Sequence, residues 1–154
     1  MVEKRFLVAM YPWFAMGHLT TFLHLSNKLV ERGQRFKHFN YHPSLITFIP
    51  LTILHVEGLP PNTEITNDIP YPLHPLLMKA MDQIKPFMEA TLGNLKPQCI
   101  FFDFAHWIPE LARGLVIKSI DYCTISPGTI GYLGSPARKI HDNELSLAEK
   151  LMFP

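Results

Sequence analysis

The chain has 154 residues, a formal net charge of +1, 47% hydrophobic and 18% charged residues. That is enough for one domain with a real core, too few for two of ordinary size, and too apolar for an intrinsically disordered chain. No block of like charge points to nucleic acid or an anionic membrane, and no apolar run approaches the roughly 18 residues of a membrane span.

Phe6 onward reads as a buried strand, a short aromatic loop through Tyr11, Trp13 and Phe14, and then a helix with His18 in its first turn. Glu3-Lys4-Arg5 ahead of an apolar stretch has some look of a secretory leader, with Ala15-Met16-Gly17 as cleavage site. Pro12 and Trp13 interrupt its apolar core and Glu3 spoils its basic region, so the segment is assigned to the fold. Past Gly17, apolar residues at Leu19, Phe22, Leu23, Leu29 and Val30, with Ser26 on the same face, follow helical spacing, and Gly33 suits a C-cap. The next strand is poorly defined. Gln34–Phe39 alternates charge with aromatic rings, whereas Leu45–Leu51 is convincingly apolar. The interval from Gln34 to Ser44 is too short for a strand, a crossover helix and loops. Either Gln34–Phe39 is a stunted strand, or Leu45–Leu51 lies beside strand one.

Leu54 to Pro75 is a loop region rich in proline and asparagine. A helix begins at Leu76, Pro86 breaks or kinks it near Lys85, and Lys96-Pro97 ends it. Cys99–Phe102 is a short buried strand ending at Asp103. Trp107–Leu115 is helical, with Pro109 tolerated in the first turn. Lys118–Ile125 is a further strand, Ser126-Pro127-Gly128 turns out of it, and Ala137–Lys150 is a loose polar helix. Strands alternating with helices imply an α/β fold with a parallel sheet. The two cysteines, Cys99 and Cys123, each in an apolar run, read as core thiols of a reducing compartment.

Three strand ends carry polar groups: His18, Asp103, and Thr124 with Ser126. In a parallel sheet those ends share one edge, where ligands of open α/β sheets bind. A neutral histidine accepts a proton from a hydroxyl, and a buried carboxylate on its other nitrogen fixes the tautomer and stabilises the imidazolium that forms. The positive end of a helix dipole favours the neutral ring. His18 and Asp103 therefore suit a base and its orienter. The plainer alternative is a histidine satisfied by backbone and an aspartate that caps the following helix. Thr124-Ile-Ser-Pro-Gly128 approaches a nucleophile elbow, but Pro127 lacks the N–H an oxyanion hole needs there. His38 and His42, four apart, have no supporting ligand pattern. Tyr11, Trp13, Phe14, His106 and Trp107 flank the pair and suit either a pocket for a flat ligand or ordinary core packing.

The opening Met10–Leu29, with Leu45–Leu51, Gly58-Leu-Pro-Pro61, Phe101–Glu110 and Tyr122–Pro127, resembles the plant UDP-dependent glycosyltransferases of secondary metabolism. The resemblance is to the branch that extends the sugar of flavonoid and anthocyanin glycosides. It covers nearly the whole chain. It implies the N-terminal half of an enzyme of two Rossmann-like domains, with residues 1–154 as the acceptor-binding domain and the C-terminal UDP-sugar-binding domain absent. His18 then matches the catalytic base and Asp103 its partner. Trp13, Phe14, Met16, Gly17, His106 and Trp107 fall to substrate binding, and Thr124 to the transferred sugar or its phosphate. The implied reaction is inverting transfer of a hexosyl or pentosyl group from a UDP-sugar to a hydroxyl of a flavonoid or anthocyanin glycoside. The UDP-sugar is a co-substrate, no cofactor or metal is required, and the setting is cytoplasmic. The chain departs from the pattern in a shortened second-strand region, in Thr20 where proline is usual, and in Val116 where glycine is usual. The 154 residues are expected to bind UDP-sugar weakly if at all and to be inactive alone. The alternative is a non-catalytic small-molecule-binding or interaction module.

Overall fold

Two short apolar runs and a third, more polar segment, Lys118–Asp121, pair into one parallel sheet among the described residues. A computed structural model describes residues 6–31, 42 and 44–133. Two compact units divide the chain, Met1–Tyr122 and Cys123–Pro154.

In the first unit, β1 (Val8–Tyr11), β2 (Cys99–Phe102) and β3 (Lys118–Asp121) lie in that order, with Val8 beside Cys99 and Cys99 beside Lys118. Alternation along each strand puts Met10, Phe101 and Ile120 on one face and Tyr11 and Phe102 on the other. Helix α1 (Met16–Glu31) covers the first face. Its Ser26 hydroxyl reaches Met10 Sδ at 2.9 Å, and its buried Phe22 meets the Tyr122 ring edge-on at 5.3 Å. Burial of one such side chain stabilises by about 1.5–3 kcal/mol. Leu29, expected on the apolar face, is exposed, while Asn27 is buried. The Gly33 cap lies outside the described residues.

Helix α2 (His74–Gln83) gives way to α3 (Lys85–Leu95) at Ile84. Pro86 is the cause: it cannot donate to the α2 ladder but fits the first turn of a new helix. Two 3₁₀ turns, Thr66–Asp68 and Tyr71–Leu73, punctuate the proline-rich loop before α2. Helix α4 (Ile108–Gly114) follows β2 and packs against β3, with Ile108, Leu111 and Ala112 buried.

Two expectations are corrected. Leu45–Leu51 forms no strand. Its N-terminus is a turn in which the His42 carbonyl accepts the Leu45 and Ile46 N–H groups, each at 2.8 Å, and residues 46–50 are irregular. A strand needs a hydrogen-bonded neighbour, and the described partner of β1 is β2. Leu45, Phe48 and Ile49 are left exposed. The other candidate, Gln34–Phe39, lies outside the described residues, as does Ala137–Lys150. The second correction concerns the second unit. Strand β3 stops at Asp121, and Ser126-Pro127-Gly128 opens helix α5 (Pro127–Leu133) rather than a turn. The Thr129 N–H donates to Ser126 Oγ at 3.1 Å, so Ser126 is the N-cap with proline at the first helical position.

Candidate active site

At the carboxyl edge of the sheet, the chain leaves β1 through Pro12 and enters α1 through a tight turn. The Ala15 N–H donates to the Trp13 carbonyl at 2.8 Å, and the Ala15 carbonyl accepts both the His18 and Leu19 N–H groups at 2.9 Å. The Thr20 and Thr21 hydroxyls bond back to the Met16 and Gly17 carbonyls at 2.7 and 2.6 Å. His18 is thereby fixed in the first helical turn.

Asp103 follows the last residue of β2 and is buried. Its Oδ2 lies 2.5 Å from His18 Nδ1, and its Oδ1 accepts the Trp13 N–H. Both oxygens are thus committed to the neighbouring strand end, and α4 starts without a side-chain cap. The capping alternative is not what forms. With Nδ1–H directed at a carboxylate, the lone pair of a neutral ring sits on Nε2. The carboxylate is felt further along the edge: the Asp121 carboxyl is raised, first by burial and then by the charge of Asp103.

Phe104 completes the site, and sequence reasoning did not select it. Its φ is +55°, in the left-handed region, and the Ala105 N–H closes a three-residue turn on the Asp103 carbonyl at 2.6 Å. Its ring lies 5.3 Å from the His18 ring and 6.2 Å from Trp13. The available signal was adjacency to Asp103; its backbone conformation leaves no trace in the local sequence.

The proposed substrate residues separate by exposure. Trp13, Phe14 and Trp107 are core, at 4%, 7% and 5% exposed. Trp13 and Phe14 stack at 6.0 Å, Tyr11 meets Phe14 and Trp107, and the Trp107 indole N–H donates to Asp82 Oδ1 at 2.9 Å. The Phe14 carbonyl accepts the Thr66 N–H at 2.9 Å, which ties the proline-rich loop to this cluster. Met16, Gly17 and His106 are exposed, and a Cβ at Gly17 would meet nothing within 4 Å. Thr124 belongs to the second unit, in the segment before α5. Among the described residues no cluster of three or more His, Cys, Asp or Glu stands where it would hold a metal. Nor is any described helix long and apolar enough to cross a membrane.

A parallel α/β sheet with a buried carboxylate bonded to a histidine at its carboxyl edge defines a Rossmann-like protein whose histidine–aspartate pair stands at the edge where open α/β sheets bind ligands. No family model matches the chain. Individual relatives do. It is 52% identical over 161 positions to a cyanidin 3-O-galactoside 2''-O-xylosyltransferase of Actinidia chinensis, covering 97% of this chain and 35% of the relative. It is 45% identical to UDP-glycosyltransferase 79B30 of Glycine max over 96% of this chain and 34% of that one. An anthocyanidin 3-O-glucoside 2''-O-glucosyltransferase of Ipomoea nil is 43% identical over 96% of this chain and 35% of its own length. In structure, the chain superposes with a TM-score of 0.75 on Arabidopsis thaliana UGT89C1 complexed with UDP-L-rhamnose, covering 95% of this chain and 43% of that one at 19% identity. That likeness speaks for the fold. By these matches the chain belongs with the plant UDP-glycosyltransferases, as the counterpart of their N-terminal part, and spans about a third of the length of the curated relatives.

Proposed function

We propose that this chain supplies the acceptor-binding half and the catalytic base of an inverting UDP-dependent glycosyltransferase. Its substrate is a hydroxyl of a flavonoid or anthocyanin glycoside. The observation that carries this reading is the 2.5 Å contact between His18 Nδ1 and buried Asp103 at the edge of the sheet where open α/β folds bind ligands. His18 Nε2 takes the acceptor proton, the acceptor oxygen bonds to the anomeric carbon of the UDP-sugar from the face opposite the leaving group, and UDP departs. Asp103 holds the ring and stabilises the imidazolium. Met16, Gly17 and His106 line the accessible rim. Buried Trp13, Phe14 and Trp107 shape the site from behind, and Thr124 contacts the donor sugar or phosphate. The UDP-sugar is a co-substrate, with no resident cofactor or metal. A cytoplasmic setting belongs to the same reading, in keeping with Cys99 and Cys123 both being free thiols, Cys99 in the core as expected and Cys123 exposed where a core position was expected.

The test is a chimera in which these residues precede the remaining two-thirds of the Actinidia relative. It is expected to transfer xylose, rhamnose or glucose from its UDP-sugar to flavonoid glucosides. His18→Ala is expected to cut turnover by about 10²–10⁴-fold, the span of general-base catalysis. A folded chimera with undiminished turnover after His18→Ala overturns the assignment. The 154-residue chain alone is expected to show little or no turnover, and brisk transfer by it refutes that part of the proposal.

A further inference from the structure

We propose that Asp82, in the last turn of α2, is a positioning residue that holds the Asp103 loop in place beneath His18; the proposal rests on the reading of His18 and Asp103 as base and orienter. Asp82 is the penultimate residue of α2, where the negative end of the helix dipole disfavours an anion. Its side chain is about half exposed beside buried Ala80 and Met81, so burial does not oppose the carboxylate, and its role is read from its partners.

Its partners lie on the other side of the loop. Asp82 Oδ1 accepts the indole N–H of buried Trp107 at 2.9 Å and lies 3.9 Å from His106 Nδ1. Between Trp107 and Asp103 the backbone has little slack. The Ile108 N–H is bonded to the Ala105 carbonyl at 2.9 Å, the Ala105 N–H to the Asp103 carbonyl, and Phe104 is held left-handed between them. The same turn of α2 also faces the end of β1, because the Met81 carbonyl accepts the Tyr11 hydroxyl at 3.5 Å. The Tyr11 ring in turn contacts Trp107 at 5.6 Å. Asp103 bonds both products of β1, the Trp13 N–H and the His18 ring. One helical turn thus pins the loops after β1 and β2, and the dyad forms where those loops meet. Asp82 acts through Trp107 and touches no reacting atom.

The experiment follows the His18 Nδ1–H proton by NMR in the ¹⁵N-labelled 154-residue chain, since its bond to Asp103 slows exchange with water. The signal is expected in the parent chain, lost or broadened in Asp82→Ala and in Trp107→Phe, and restored in Asp82→Asn, whose amide oxygen still accepts the indole proton. The dispersed core resonances of Leu77 and Ile100 are expected to persist, which a general loss of structure would not allow. An unchanged His18 signal in folded Asp82→Ala overturns the proposal, as does Asp82→Asn behaving like Asp82→Ala. Should Asp82→Ala fail to fold, Trp107→Phe, which keeps the buried ring, decides. Absence of the signal from the parent chain refutes the His18–Asp103 reading itself, whereas a parent signal indifferent to Asp82 and Trp107 removes the proposal alone.

Discussion

The two edges of the sheet hold the same backbone conformation by opposite means. At the carboxyl edge Phe104 has a φ of +55° and is clasped by the rings of His18 and Trp13. At the amino edge Val116 has a φ of +58°, stands 93% exposed, and borders a cleft of about 190 Å³ with Leu92, Lys96, Pro97 and Leu115. A residue with a Cβ in the left-handed region costs roughly 1–2 kcal/mol. Side-chain contacts offset that cost at Phe104. At Val116 the side chain meets solvent, in a position where the family resemblance implies glycine. Strain next to a site is held by packing; strain away from it is only tolerated.

The sharpest way to break the contrast is to remove the centre of the carboxyl edge. Asp103→Ala leaves the buried Trp13 N–H without its acceptor and His18 without its carboxylate. We expect a loss of about 3 kcal/mol of unfolding free energy, read by urea denaturation. A loss well under 1 kcal/mol would mean that the edge does not depend on the dyad. Next in size, glycine is expected to act with opposite signs at the two strained positions. Phe104→Gly relieves strain but forfeits two ring contacts, for a net loss of about 1 kcal/mol. Val116→Gly is expected to gain about 0.5–1 kcal/mol, because little packing is given up. Equal signs in the same denaturation assay would dissolve the comparison.

The smallest effect concerns Tyr11 behind the site. Burial, and then the charge of Asp82, push its phenol far above the ordinary value of about 10. With the folded value raised, the stability contributed by the neutral phenol is complete below about pH 10 and is lost progressively as pH climbs above it. Thermal melts of Tyr11→Phe are expected to track the parent closely near neutrality, since the hydroxyl bond is long at 3.5 Å, and to fall less steeply above about pH 10. Parallel melting curves across that range would refute the assignment.

What the sequence discloses follows from how local each signal is. The Cys99–Phe102 strand and the break at Pro86 depend on a short apolar run and on one missing N–H, and both appear where expected. The His18–Asp103 pair is readable because a parallel sheet brings strand ends to one edge. Leu45–Leu51 looks like a strand because its composition suits one, yet strand formation requires a partner elsewhere in the chain. Ser126-Pro127-Gly128 has the composition of a turn, yet Ser126 before proline is equally a helix-start signature, and the helix forms. The aromatic residues are the hardest case. Trp13 and Trp107 have the composition of a pocket wall, and only tertiary packing shows them to be core, with the Trp107 indole occupied by Asp82.

The double grip of Asp103 has a kinetic consequence. His18 and Asp103 are 85 positions apart, and the Trp13 contact spans 90. Closing so long an intervening segment carries a large entropic penalty, and contacts of that separation slow folding. The dyad is expected to assemble with the pairing of β1 and β2, late in folding. A molecule caught before that step has α1 and its histidine without the carboxylate that bonds it. Appearance of the His18 signal would time the completion of the whole domain.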